Sequence, residues 1–231
     1  MPLNITLKNE KMYDAVWTIT DILIVILFIY GCSMAYTFIL LAIFGDSTIA
    51  SRFSRYGFHL LGILSPIFWI KKKYRLPKEV LGLQKSNLGS TTFLLTGIIL
   101  AMIFTIFAKL HLFNYVSMPI NQRHFYTYID YILLPLSFGG FATIVLAPIS
   151  EEIMIRGFVY GYLRNKLGVS VGLFLQALMF SLLHFKSNIY EISYMLILGL
   201  IFGFLYEKAG SLYPSMIFHG AFNFLAFLNI G

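Results

Sequence analysis

The sequence predicts an all-α fold, a polytopic bundle of about seven membrane-spanning helices, and three observations lead there. Of the 231 residues, 58% are hydrophobic and only 12% charged, with a mean hydropathy of +0.79, far from the composition of ordinary soluble domains. The apolar runs are continuous rather than alternating, which argues against a β-barrel. They also recur along nearly the whole chain, and at roughly 20 residues per crossing there is room for about six to eight spans.

Each element follows from local composition. A polar or interfacial stretch reaches about Trp17, and a first helix covers about residues 18 to 44, closed by Gly45-Asp46-Ser47. A second covers about residues 56 to 70 with part of the segment before it. The basic loop Lys71-Lys72-Lys73-Tyr74-Arg75-Leu76-Pro77-Lys78 follows and extends through Lys85. A third helix is expected near residues 90 to 108, and the mixed stretch 109–129, with Pro119, along the interface. The fourth runs from near Ile132 to about Asn165, too long for one crossing, so it must tilt, kink or protrude. Pro148 supplies a kink. Three more helices cover about residues 169–185, 192–206 and 212–228. Asp14 and Asp21 sit near helix ends and are expected to be solvated. Residues 1–130 read as N-terminal helices and loops, and residues 131–231 as a C-terminal transmembrane core.

The charge pattern sets topology. Lys8, Lys11, the 71–85 loop, Arg164, Lys166 and Lys208 fall on one side, while Arg52, Arg55, Lys109, Arg123 and Lys186 fall on the other. Positive residues favour the cytoplasmic face, giving a multi-pass protein with a cytoplasmic N-terminus and an external C-terminus. The net charge of +7 is therefore read as topology, not as nucleic-acid binding. The single cysteine, Cys32, excludes an intrachain disulfide and a Cys-based metal site. It is expected as an ordinary helix residue, because the apolar run continues past it, and no cleavable signal peptide is expected. Gly157-x-x-x-Gly161 and Gly199-x-x-x-Gly203 put small residues on one helix face for close packing.

Three polar motifs interrupt the apolar C-terminal half: Glu151-Glu152-x-x-x-Arg156, Phe180-x-x-x-His184 and His219-x-x-x-Asn223. Ionisable side chains at membrane depth are costly and usually face a bundle interior or an aqueous cavity. Helix rise places Glu151 roughly 21 Å from Asn165, His184 roughly 22 Å from Val169, and His219 and Asn223 roughly 12 and 18 Å from Ser211. All four distances count from the same side, so the motifs converge at similar depth. Glu152 and Arg156 share a face and can pair, whereas Glu151 points about 100° away. His219 and Asn223 also share a face, with Gly220 and Ala221 leaving room beside them. A carboxylate with two imidazoles suits water activation, metal binding or oxyanion stabilisation, and Asn223 can donate an amide N–H to an oxyanion. Each element has a plainer reading. A Glu–Arg pair is most often an internal salt bridge, a lone buried histidine is often satisfied packing, and Phe180 reads as packing. Convergence in three apolar regions favours one catalytic site.

With these motifs the chain resembles the CPBP intramembrane proteases, a family that includes the CAAX prenyl endopeptidases and bacterial, Abi-like bacteriocin-processing or immunity proteins. The resemblance covers about residues 148 to 223. It implies that Glu151 activates water with His184, that His219 and Asn223 stabilise the oxyanion, and that Glu152 and Arg156 support the site. The implied reaction is endoproteolytic hydrolysis of a membrane-bound protein or peptide substrate in the lipid bilayer. Glu151, His184 and His219 could ligate zinc, since such sites commonly use three protein ligands plus water. A metal-free, glutamate-type mechanism without a cofactor is the favoured expectation. Nothing marks a prenyl-binding groove, and the small loops suit a bacterial cell-membrane relative that processes a peptide or membrane-protein precursor. The rivals are a non-catalytic membrane scaffold or bacteriocin-immunity protein, and a proton- or cation-coupled transporter, for which the inverted repeats common in transporters are not seen.

Overall fold

The computed structural model describes residues 15–45, 47–86, 138–184 and 188–229. They form six helices and, among the described residues, no strand. These are α1 (Ile19–Phe44), α2 (Ser47–Trp69), α3 (residues 138–167), α4 (Val169–Leu183), α5 (Ile189–Ala209) and α6 (Leu212–Asn229). The expected helix near 90–108, the 109–129 stretch, the first residues of the fourth helix and Asp14 lie outside the described residues.

Helix ends follow their capping chemistry. Thr18 and Asp21 form a reciprocal capping box at the start of α1, and Gly45, in the left-handed region at φ 62°, closes it. Cys32 lies inside α1, as expected. The second helix begins earlier than its apolar run suggests. Ser51, Arg52 and Arg55 are exposed while Ala50 and His59 are buried, so this helix is amphipathic where α1 is greasy all round. A hydrogen bond between Thr37 and Ser54 ties the two together.

The predicted kink at Pro148 is instead absorbed as π-helical turns within one continuous helix. Residues Ala142–Leu146 and Glu152–Tyr160 of α3 adopt this wider turn. Ala147 bonds back five residues to the Ala142 carbonyl, with right-handed dihedrals throughout. In that register the Thr143 carbonyl would take its proton from residue 148, a proline with no N–H to give. The Asn223 Nδ2 donates to it instead, at 2.9 Å. Gly220 lets α6 come this close, since a Cβ there would lie 2.8 Å from the Ile144 carbonyl oxygen.

One end of the bundle gathers the segments grouped by charge. Asn165 donates to the Ala15 carbonyl at 2.8 Å, and the Trp17 indole donates to Phe158 at 2.8 Å. At the same end Arg164 pairs with Glu207 at 2.9 Å, and Gln84 donates to the Gly210 carbonyl at 2.8 Å. The start of α1, the 71–86 segment, the end of α3 and the α5–α6 turn therefore lie together.

Asp21 corrects its expectation. It is fully buried rather than solvated, and its carboxylate accepts from the Thr18 N–H and hydroxyl, Trp69 Nε1, Lys73 Nζ and the Tyr74 hydroxyl at 2.5–2.8 Å. Residues Ile70–Tyr74 form a π-helical turn after α2 that swings these donors back over α1, which spacing along a helix does not reveal. The Asp21 hydrogen bond holds the Lys73 ammonium above its ordinary pKa, and burial pushes the Tyr74 phenol up. Hydrogen bonds to a charged acceptor contribute about 1.5–3 kcal/mol each, and orphaned donors add their own penalty. Asp21→Ala is expected to destabilise the protein by about 3 kcal/mol while Lys73→Ala, at a half-exposed partner, costs under about 1 kcal/mol; denaturant unfolding of the purified variants measures both.

The glycine motifs pack as expected. A Cβ on Gly199 would meet the Ala177 Cα at 2.9 Å, and one on Gly157 the Leu81 carbonyl oxygen at 2.7 Å.

Two of the described helices, α1 and α5, are long and apolar enough to cross a membrane, and α4 is a shorter apolar helix. Among the described residues there are thus fewer evident spans than the seven expected; α4 has only 15 residues, and the expected third helix and the start of the fourth lie outside the described residues. Much of α1 is apolar and exposed, with Leu27 70%, Ile43 67% and Phe38 65% accessible. Lipid is the solvent that suits such a surface.

Candidate active site

The wide turn of α3 sets two acids side by side in different surroundings. Glu152 is fully buried and pairs with Arg156, Oε1 to Nη1 at 3.1 Å, one turn on. The guanidinium of Arg156 lies over the Phe180 ring at 4.4 Å and the Phe202 ring at 5.2 Å. Such stacking on desolvated aromatic faces is worth about 2 kcal/mol. Its Nη2 leans toward the Gly199 carbonyl at 3.4 Å, which also accepts from Gln176 Nε2 at 2.9 Å. Helices α3, α4 and α5 are therefore joined through one buried cation.

His219, 3% exposed, reaches the same acid from α6, with Nδ1 at 2.9 Å from Glu152 Oε1. Its ring stacks on Phe202 at 4.5 Å. A carboxylate oxygen only accepts here, so Nδ1 donates and Nε2 is the nitrogen left to face the other acid. That Nε2 lies 3.8 Å from Glu151 Oε2. Glu151 is the more open acid, with 28% of its side chain exposed, yet Oε2 is buried and unpartnered among the described residues. A buried polar atom left unpaired costs about 1–3 kcal/mol, so this oxygen is kept free at a penalty.

His184 closes α4 rather than sitting within it. Its Nδ1 bonds the Phe180 carbonyl at 2.7 Å; a carbonyl accepts, so again Nε2 is the free nitrogen. Among the described residues it does not bond Glu151 directly. Phe180 links it to His219 instead, packing on His184 at 4.5 Å and on His219 at 5.8 Å. The phenylalanine read as packing is the aromatic hub of the site. Asn223 shares a face with His219 but spends one amide N–H on Thr143.

The structure thus brings Glu151, Glu152, Arg156 and His219 into one cluster. His184 lies beside it through Phe180, and Asn223 borders it on the π-helical turn. Fit to a metal can be judged from the donors: among the described residues no group of three His, Cys, Asp or Glu side chains converges. Three contributors were not foreseen. Phe202 packs on both Arg156 and His219, and Gln176 shares the Gly199 carbonyl with Arg156; a glutamine inside an apolar helix was a readable signal. His59, buried in α2, is the third.

Comparison with known proteins places this cluster in context. Residues 132–225 match the family described as type II CAAX prenyl endopeptidase, Rce1-like. All six residues singled out from the sequence fall inside that Rce1-like segment, and the resemblance read from their motifs is borne out there. The chain is also 29% identical over 90 residues to UPF0177 protein YxdF of Lactococcus lactis, covering 39% of this chain and 49% of that protein. It spans about half the length of this curated relative. No solved structure matches.

Proposed function

We propose that the protein is an intramembrane endopeptidase in which Glu151 is the general base for hydrolytic water. One observation carries the reading. Glu151 is partly exposed and keeps an unpaired Oε2 beside an imidazole, while Glu152 is fully buried and its Oε1 holds both Arg156 and that same imidazole, with only its Oε2 unpaired. Two adjacent carboxylates in such different surroundings suit one reactive and one supporting role. The Rce1-like match supports the same kind of chemistry.

Water held between Glu151 Oε2 and the free Nε2 of a histidine loses its proton to the carboxylate as its oxygen attacks the scissile carbonyl carbon. The carbonyl π pair moves onto oxygen, and the oxyanion is met by the second N–H of Asn223, because the His219 Nδ1 proton is spent on Glu152 and its Nε2 lone pair faces the water. Collapse of the tetrahedral intermediate breaks the C–N bond, and Glu151 returns its proton to the leaving amine. Glu152 and Arg156 fix His219 in the tautomer this needs. This mechanism routes no step through zinc, and it is supported by the lack of any converging group of three His, Cys, Asp or Glu side chains among the described residues. Activity is therefore expected to survive exhaustive chelation; a loss restored by zinc alone overturns the metal-free mechanism.

In this reading residues 131–231 form the catalytic core and the N-terminal part its scaffold. About seven helices cross a bacterial cell membrane with the N-terminus cytoplasmic, the gathered end of the bundle facing that side. Substrates are membrane-bound protein or peptide precursors; nucleic acid has no part. A second reading, a non-catalytic scaffold or immunity protein, draws support from the structural use of Asn223 and the distance of His184 from direct contact with Glu151. Comparing new peptide termini in cells expressing wild type or Glu151→Ala at matched levels decides between them. Termini made only by wild type support proteolysis and name substrates; identical profiles favour the scaffold.

A further inference from the structure

A third histidine lies on a helix that packs against the turn carrying the proposed base, outside the matched segment. His59 of α2 is 7% exposed, and its Nδ1 has no hydrogen-bond partner among the described residues. Its ring packs edge-on against Phe58 at 5.6 Å, an apolar contact that leaves the nitrogen unanswered. Helix α2 lies tight against the turn that carries the acids: a Cβ on Gly62 would come within 2.3 Å of Ser150 Oγ. Gly62 is three residues from His59, so both lie on the same face of α2, and Ser150 directly precedes Glu151. The charged groups that act on His59 are Glu151 and, on its own helix, Arg55. A buried imidazole nitrogen and a buried carboxylate oxygen, each unpartnered, thus come from two helices in close contact.

We propose that His59 is a positioning residue for Glu151, its Nδ1 orienting the water that Glu151 deprotonates. This rests on the proteolytic reading above and extends it. The N-terminal half then supplies a part of the active site and is more than a scaffold. Water held by a carboxylate and a single imidazole can still swing about that axis, whereas a further polar contact fixes its direction of attack. Misplacing a reacting group by about an ångström can lose rate on the order of 100-fold.

Side-chain amides distinguish the two ring nitrogens. Asparagine places its amide near the position of Nδ1, and glutamine near that of Nε2. The test measures yields of the wild-type-specific termini for full-length His59→Asn, His59→Gln and Glu151→Ala, expressed at matched membrane levels. His59→Asn is expected to keep yield within about threefold of wild type and His59→Gln to lose at least about tenfold. Equal yields from the two, whether both high or both low, overturn the positioning role and leave the proteolytic reading standing. Termini that persist in Glu151→Ala sink the proteolytic reading itself, and this proposal with it.

Discussion

Glu151→Gln is expected to lower the turnover number by about 10²- to 10⁴-fold, the range that general-base catalysis contributes, while leaving unfolding unchanged within about 0.5 kcal/mol. Glutamine has nearly the shape of glutamate but cannot accept the proton of an attacking water. Stability should hold because the fold asks little of this side chain. It is 28% exposed, and its Oε2 bonds nothing among the described residues. The measurement is the initial rate of cleavage of a substrate found by terminus comparison, with full-length protein in lipid nanodiscs, alongside a denaturant titration. Retention of more than a tenth of the wild-type rate would remove Glu151 from the role of base. Glu152→Gln provides the contrast. It should lose rate and stability together, because Glu152 neutralises Arg156 and orients His219 in one place.

Much of this architecture was legible because side-chain spacing in a helix is regular. The pairing of Glu152 with Arg156, the separate direction of Glu151 and the shared face of His219 and Asn223 all follow from residue spacing, and the structure repeats them. The polar clustering of the motifs was readable because charge at membrane depth has so few tolerable neighbours. What spacing could not convey was register change. The π-helical turns of α3 shift backbone bonding from four to five residues, and that shift creates the open Thr143 carbonyl and its claim on Asn223. Asp21 was misread for a related reason. Its partners lie about 50 residues away in sequence, on a turn whose direction no local pattern fixes. Likewise His59 sits in an amphipathic helix where a histidine after exposed serines and arginines resembles surface. Only the close packing of its helix against the turn that carries Glu151 gives it meaning.

The same dependence on distant partners makes Arg156 the residue whose loss should be most damaging to the fold. Arg156→Met keeps the length and apolar stem of the side chain but leaves Glu152 as a buried anion without a counter-charge. Breaking a buried pair from one side typically costs about 3–5 kcal/mol, because the remaining charge is uncompensated. The stacking on Phe180 and Phe202 is lost as well, and Gly199 gives up one of its two donors. Unfolding of the purified protein should register the full effect. The double variant Glu152→Gln/Arg156→Met separates charge from packing: with both charges gone, at least half of the lost stability is expected to return. Cleavage is not expected to return with it. His219 would then bond a neutral amide able to present either oxygen or nitrogen, so its Nδ1 proton and the lone pair facing Glu151 would no longer be fixed. A double variant as unstable as the single one would mean that Arg156 acts mainly through its aromatic stacking. A stable double variant that still cleaves would remove His219 orientation from the mechanism. Stable but inactive is the expected result, and it assigns Arg156 to the fold through charge and to the chemistry through the tautomer of His219.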